Sequence, residues 1–518
     1  MNEKHLATGY SDAGASHEKR SLRAFNSVSA SPVEDIDFNN LTLRQRGRML
    51  YMAAPVAAAA INTNCTKIVG RGLRMKCNLN IDILNMTPEA AKEWCRRTEA
   101  EFRLWCENRF NCDALGLNNF FELQHLAVKS WLMSGDVFVL LKREKPTPLN
   151  PYSLRLQLIE ADRVCTPHNG GTMYGYTEGR YKGNAVHDGV EVDKNGRVVA
   201  YHICSEYPNA LYVNNDCKCV RVEAAGKLTG LPNILQIMNA ERPDQYRGVT
   251  YLAPVIEMLL QGRRYTESEL TAAIVQSYYT AFITTEDDPT AVPTIGRDND
   301  DEDEEEDYPE PEMGPGNVVH LKTGEKVELG NPNIPTAGFE NFTKAIIKQV
   351  GAALELPYDV MIKEFNSSYS ASKGALEEAW EVFRKKRTWF VNDFCQPVYE
   401  VWLSEAVASG RIRAPGFFNN PLIRAAWCGA RWDGPAQTHL DPVKEAKASA
   451  AEVAHGWKTN EQVTREYYGE NWEENILALA EEKKLMEKAG ITPAAWDGRE
   501  LDEEDDDKKK EEKDGKEE

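Results

Sequence analysis

Two short patterns in the 518-residue chain have the residue types and spacing of serine acyl transfer. Ser370-Ala371-Ser372-Lys373 reads S-x-x-K, in which a lysine amine one helical turn from a serine hydroxyl can take its proton. Lys322-Thr323-Gly324 reads K-T-G, the companion pattern of penicillin-recognising serine enzymes. Here K-T-G precedes S-x-x-K, the reverse of their order, and no S-x-N or S-D-N lies at a plausible place between or after them. Glu325 follows the K-T-G in a charged turn. Patterns of three or four letters arise by chance in a chain this long. The pair therefore reads as a coincidental turn and loop, and a serine acyl enzyme stands only as the alternative function.

Other chemistry has less to work with. There is no G-x-x-x-x-G-K-[ST] phosphate loop, and Gly70-Arg71-Gly72 lacks the third glycine of a dinucleotide fingerprint. H-E-x-x-H and G-x-S-x-G do not occur, and the nine histidines are scattered singly. Eleven cysteines stand at 65, 77, 95, 106, 112, 165, 204, 217, 219, 395 and 428, and they read as thiols rather than disulfides. Cys217-Lys218-Cys219 is the one close pair, without a second pair or regularly spaced histidines to complete a zinc site. No metal, no cofactor and no catalytic residue is expected. The densest basic run, Arg384-Lys385-Lys386-Arg387, reads as a solvated helix face or subunit salt-bridge strip, with phosphate contact as the alternative.

The elements that would position these groups are mixed helix and strand. The net charge of −20 is confined to two tracts. Residues 286–312 hold 14 acidic groups against Arg297, and residues 500–518 hold 12 against five lysines and arginines. The remainder has 55 residues of each sign, so no uniformly basic DNA-binding surface is implied. Both tracts read as solvated, disordered chain. The N-terminus lacks an apolar stretch of signal-peptide type, and Met49–Thr66, mostly alanine with Pro55, Asn62 and Asn64, falls short of the ~20 apolar residues of a membrane span. Leu41–Lys67, Thr87–Phe110 and Asn118–Ser134 have helical character, with Trp94, Phe102 and Trp105 on one face of the second. Val137–Leu141, Leu154–Ile159 and the Val190–Ile203 hairpin, turning at Asn195-Gly196, read as strands.

Farther on, Leu270, Ile274, Tyr278 and Phe282 recur every four residues and predict a helix over 254–285. The acidic insert 286–316 interrupts, a β-like piece Val318–Leu329 follows, and Phe339–Glu355 is a second helix. Tyr358–Lys373 reads as a polar loop. Ser370–Ser409 reads as a long amphipathic helix that Pro397 should kink. Helices near Asp441–His455, Asn460–Tyr468 and Asn471–Ala489 precede the charged tail.

Several strings, taken in order, resemble phage portal proteins of the lambda family. They are GASHEKRSLRAF (14–25), LRQRGRMLYMAAPVAAAAI (43–61), VGRGL (69–73), IEADRV (159–164) and RPDQYRGVTYLAPV (242–255). LELPYDVM (354–361), ALEEAWEVFRKKRTWFVNDFCQPVYEVWLSEAV (375–407) and GPAQTHLDPVKEAKA (434–448) complete the set. Ala53, where a polar residue is expected, and the long acidic insert are the departures.

The resemblance implies an α+β portal-type subunit with a mixed wing, two-helix stem, clip, long spine helix and helical crown. Mapped here, 1–40 is an N-terminal arm, 41–253 the wing, 254–285 the first stem helix and 286–335 the clip. The second stem helix is 336–356, the channel loop 357–373, the spine with its following segment 374–434, the crown 435–490 and the tail 491–518. It implies no enzyme but a dodecameric ring at the capsid vertex, through which double-stranded DNA is packaged and ejected without sequence specificity. The partners implied are further copies of the chain, the terminase large subunit, the major capsid and scaffold proteins and the head–tail connector, with no membrane. The location implied is the virion, and the host cytoplasm during assembly. Lys363, Phe365, Asn366, Ser367, Ser368, Tyr369, Ser370 and Lys373 are the expected DNA-channel residues. Leu270, Ile274, Tyr278 and Phe282 are the expected stem-packing residues.

Overall fold

The computed structural model describes residues 14–16, 19–22, 24–25, 28–168, 171–172, 179–208, 218–277, 281–285, 325–329, 338–364, 369–437, 442–469 and 472–489. The acidic insert, the tail beyond 489, Lys322-Thr323-Gly324, Tyr278 and Phe365–Ser368 lie outside these residues. The chain divides into one unit of Met1–Gly72 with Lys76–Arg431 and another of Leu73–Met75 with Trp432–Glu518.

In the larger unit, helices form where the sequence caps them. Thr87 accepts from the Ala90 amide ahead of Pro88–Glu107, and Asn119 and Glu122 close a reciprocal capping box on Phe120–Ser134. The apolar faces of these two helices meet Gln396–Ala408 in an aromatic core. The Phe102 ring lies 4.8 Å from Trp402, 5.3 Å from Tyr399 and 5.9 Å from Phe120. Trp94 stands at the margin of this core, where its indole N–H donates to the Arg413 carbonyl at 2.9 Å.

Asp136–Arg143 is the centre of a three-stranded antiparallel sheet, between Leu154–Glu160 and Ile234–Met238. A five-stranded antiparallel sheet runs in the order Cys219–Glu223, Val198–Cys204, Val190–Val192, Asn184–His187, Gly179–Tyr181. The Asn-Gly turn falls where expected, with Gly196 at φ +77° and the Asp193 carboxylate accepting from the Asn195 and Arg197 amides. Phe138, Ile159, Val190, Val192, Tyr201 and Ile203 form the core of this region.

A buried ionic chain ties the helices to both sheets. Arg247 is fully buried, gripping Asp136 at 2.6 Å and Asp188 at 2.7 Å and donating to the Val164 and Ala161 carbonyls, both at 2.9 Å. Arg44, on helix Phe38–Ala53, reaches the same Asp188 at 2.6 Å. Every guanidinium needs its partners here, because a buried charge without one is costly. Gly248 and Gly135 let the chain pass, since a Cβ on Gly248 would stand 1.9 Å from the Gly135 oxygen.

Three sequence expectations change. The helix expected over 254–285 begins with a 3₁₀ turn at Ala253–Val255, runs as Ile256–Ser277 and does not reach Phe282. Ala281–Thr285 is a strand instead, paired antiparallel with Glu325–Leu329, Ile283 opposite Val327. Phe282-Ile283-Thr284-Thr285 is an aromatic and β-branched run that suits a pleated surface better than a helix. The expected loop 357–373 is partly helical, with Tyr358–Ile362 forming one turn and Tyr369 already opening the helix Tyr369–Phe390. Cys204 and Cys219 are joined as a disulfide, where thiols were expected.

The long helix continues through a π-helical turn at Val391–Cys395 into Gln396–Ala408. Pro397 has no N–H and its ring crowds the carbonyl four residues back, so the wider turn accommodates it. Trp380, Phe383, Phe390, Phe394, Val398 and Trp402 are buried along its length, the apolar face of the expected amphipathic helix, while Leu376 near its start is half-buried. The smaller unit holds helices Pro442–Ala454, Asn460–Tyr468 and Trp472–Lys488, the second opened by a Thr459/Gln462 capping box. Among the described residues, no helix is long and apolar enough to cross a membrane.

Candidate functional site

Of the expected channel residues, Phe365, Asn366, Ser367 and Ser368 lie outside the described residues, so the site is read from its two rims, Lys363 on one side and Tyr369, Ser370 and Lys373 on the other. On the near rim, helix Phe339–Ala353 ends in a tight turn. Leu356 N–H donates to the Gly351 carbonyl at 2.8 Å, and a Cβ on Gly351 would come 2.4 Å from the Leu356 oxygen. Leu354 and Leu356 are buried either side of Glu355, which takes a left-handed φ of +54°. Tyr358–Ile362 then buries Val360 and Met361 and stops at Lys363, itself left-handed at φ +63° and exposed. On the far rim, Tyr369, Ser370 and Lys373 stand in the first turns of the long helix, where Lys373 lies 4.0 Å from Glu377. Ser372 is buried.

Positive charge gathers beside this rim. Lys348 lies over the Tyr358 ring at 5.8 Å and Lys67 over Trp380 at 5.4 Å. Burial, reinforced by the charge of Lys363, lowers the proton affinity of the Lys67 amine.

The basic run Arg384–Arg387 serves mainly inside the subunit. Arg387 donates to the Ile68 and Lys67 carbonyls at 2.8 and 2.7 Å, closing the C-terminal end of helix Pro55–Ile68 with a cation. Lys386 is only 6% exposed. Its ammonium lies 4.1 Å from the centre of the Tyr251 ring and donates to Asn64 Oδ1 at 3.1 Å. Burial brings its pKa down to about 8. Tyr251 donates its hydroxyl to the Leu354 carbonyl and accepts from the Asn64 amide at 3.4 Å. Lys385 reaches Glu355 at 3.3 Å, and Arg384 reaches Glu381 at 2.6 Å. The run thus clamps the near rim to two other helices. Lys386 and Arg387 lie on the helix face they share with the buried Phe383 and Phe390, and the contacts above are made within the subunit. Sequence reasoning missed Asn64 and Tyr251. The available signal was the polar run Asn62-Thr63-Asn64 that comes after four alanines in helix Pro55–Ile68.

The residues expected to pack a stem lie on helix Ile256–Ser277 and just beyond it. Helix Ile256–Ser277 packs on Phe339–Ala353 through Tyr265, whose ring lies 5.6 Å from Phe339 and 5.0 Å from Phe342. A cleft of about 390 Å³ beside them is lined by Pro55, Leu259, Gly262, Tyr265, Ile346 and Val350 among others. Leu270 and Ile274, farther along helix Ile256–Ser277, stand 62% and 49% exposed.

The sequence family described as phage portal protein, lambda family, matches residues 18–387. The portal protein of Escherichia phage N15 is 22% identical over 458 residues, covering 85% of this chain and 83% of the relative. Portal protein B of Escherichia phage lambda is 21% identical over 498 residues, covering 92% of this chain and 89% of the relative. Among solved structures, a chain from the neck of an empty gene transfer agent particle has a TM-score of 0.44 at 13% identity, covering 82% of this chain and 92% of its own length. An HK97-family phage portal protein from Corynebacterium diphtheriae has a TM-score of 0.31 at 10% identity, with coverages of 75% and 94%.

Proposed function

This chain belongs to the lambda family of phage portal proteins, and from that premise we propose how its residues serve a ring through which double-stranded DNA passes. As a portal protein it forms the ring at the capsid vertex. The family match across residues 18–387 carries this reading. Helices Ile256–Ser277 and Phe339–Ala353 form the stem, and the strand pair Ala281–Thr285 with Glu325–Leu329 roots the clip that holds the acidic insert. The neighbouring subunit covers Leu270 and Ile274, whose exposure on one chain supports that placement. Lys363, the segment Phe365–Ser368 and Lys373 face the channel and touch the DNA backbone without reading bases. The clamp at Arg384–Arg387 holds that segment's near rim. Arg384 and Lys385, on the outer side of the helix, are placed for subunit contact.

The mechanism is that of a passive conduit. Each neutralised phosphate adds affinity that a moving duplex must break, so a channel with few lysines and a neutral body favours passage over grip. The terminase large subunit drives the DNA, and the clip docks it and later the head–tail connector. The ring is twelve-membered, assembles in the host cytoplasm with capsid and scaffold proteins, and ends in the virion. A serine acyl reaction finds no support. Electron microscopy of the purified full chain tests the proposal: closed rings with an axial channel are expected, and monomers at every salt concentration would overturn it.

A further inference from the structure

Cysteines that look unrelated in the sequence meet in the five-stranded sheet. Cys204 ends the strand Val198–Cys204, and Cys219 opens the neighbouring strand directly opposite it, with a Cα–Cα distance of 4.1 Å. Cys165 comes from outside the sheet. It follows Val164, which bridges to Ile203, and its amide donates to the His202 carbonyl at 3.2 Å. Gly189, at φ +87°, leaves room for this approach, because a Cβ there would stand 2.5 Å from the Cys165 nitrogen. The Cys165 sulfur lies 2.9 Å from that of Cys204, and all three sulfurs fall within 4.8 Å of one another.

A disulfide between Cys204 and Cys219 uses two of these sulfurs and does not account for the third lying against it. One atom shared among all three explains the convergence. We propose that in the reduced chain Cys165, Cys204 and Cys219 form a three-thiolate site for a soft divalent cation of the zinc class. Thiolates around a tetrahedral zinc ion at ~2.3 Å stand roughly 3.8 Å apart, which small side-chain rotations reach from the observed cluster. Backbone hydrogen bonds on three separate segments fix the ligand positions before the metal arrives. Cys204 is buried, while Cys165 and Cys219 are partly exposed, leaving an entry path and a fourth position for water. The Arg163 guanidinium, which donates to the Cys204 carbonyl at 3.0 and 3.1 Å, lies beside the negative charge three thiolates carry. Cys217, two residues before Cys219, lies outside the described residues.

The chemistry balances in two steps. Two equivalents of a thiol reductant open the Cys204–Cys219 disulfide, becoming a disulfide themselves as both cysteines gain a proton and an electron. The metal ion then displaces one proton from each of three thiols, so affinity rises with pH. The test uses the full-length protein, reduced, freed of metal and titrated with Co²⁺ as a spectroscopic stand-in for zinc. One equivalent per chain should develop the thiolate charge-transfer band and the intense d–d bands of tetrahedral cobalt, and Zn²⁺ should bleach both. C165S is the discriminating variant, since it leaves the Cys204–Cys219 pair intact. It should weaken cobalt binding at least tenfold with unchanged circular dichroism, and C204S and C219S should do the same. Absence of the cobalt bands from the reduced wild type would overturn the site. So would bands of equal strength in C165S, which would assign the cysteine pair to redox chemistry alone.

Discussion

Replacing Lys386 with methionine should change how stability depends on pH. In the folded chain the ammonium is buried between Tyr251 and Asn64, and its pKa falls from 10.5 to about 8. Below pH 8 the amine is charged in both folded and unfolded chains, and the full burial cost is present. Between pH 8 and 10.5 the unfolded chain still holds a proton that the folded chain has released, so stability rises with pH. The displacement corresponds to roughly 3 kcal/mol, at about 1.36 kcal/mol for each pH unit. A thioether in place of the amine would carry no such cost at any pH. It would leave Asn64 Oδ1 without its donor, a loss of about 1–3 kcal/mol that does not vary over this range. Wild-type stability measured against K386M should therefore climb by roughly 2–3 kcal/mol between pH 7 and pH 10. Urea denaturation of both proteins at matched concentration measures this, because ring association contributes equally to each. Lys67, also depressed by burial, titrates in both and cancels. Parallel curves for the two proteins would refute the reasoning by showing that Lys386 is hydrated.

Arg387→Ala removes the cation from the end of helix Pro55–Ile68 and should cost about 1.5–3 kcal/mol of unfolding free energy, whereas Arg384→Ala should cost under about 1 kcal/mol, as denaturation midpoints would show. Aspartates at Leu270 and Ile274 together should leave the subunit's circular dichroism unchanged and shift light scattering from ring to monomer. Replacing Phe365–Ser368 with a Gly/Ser linker should give normal rings and proheads but defective DNA filling or retention in a packaging assay. Wild-type retention with that linker would show that the segment does not act on DNA.

The parts of the fold legible in the sequence were those fixed locally. The Asn195-Gly196 turn, the buried stripe from Trp380 to Trp402 and the three helices of the smaller unit follow from turn chemistry and periodicity. The end of helix Ile256–Ser277 did not, because the four-residue spacing from Leu270 to Phe282 runs on into a stretch whose β-branched residues favour a strand. The inward contacts of the basic run were not legible for a different reason. Charge in sequence gives no hint of which way a side chain points, and Lys386 shares its helix face with Phe383 and Phe390. The cysteine cluster joins residues 39 and 15 positions apart through sheet register, which no local spacing encodes.

The partnership of Arg247 with Asp136 also sets a schedule. Asp136 leaves the ribosome 111 residues before the guanidinium that neutralises it. At about 5–20 residues per second, that separation lasts roughly 6 to 22 s. Throughout that interval the strand carrying Asp136 has its carboxylate unpaired and cannot close its core over it. This part of the nascent chain therefore stays open, within reach of chaperones, until Arg247 emerges. Nonsense fragments ending between the two residues should be degraded rather than accumulate as a folded half-subunit able to poison ring assembly.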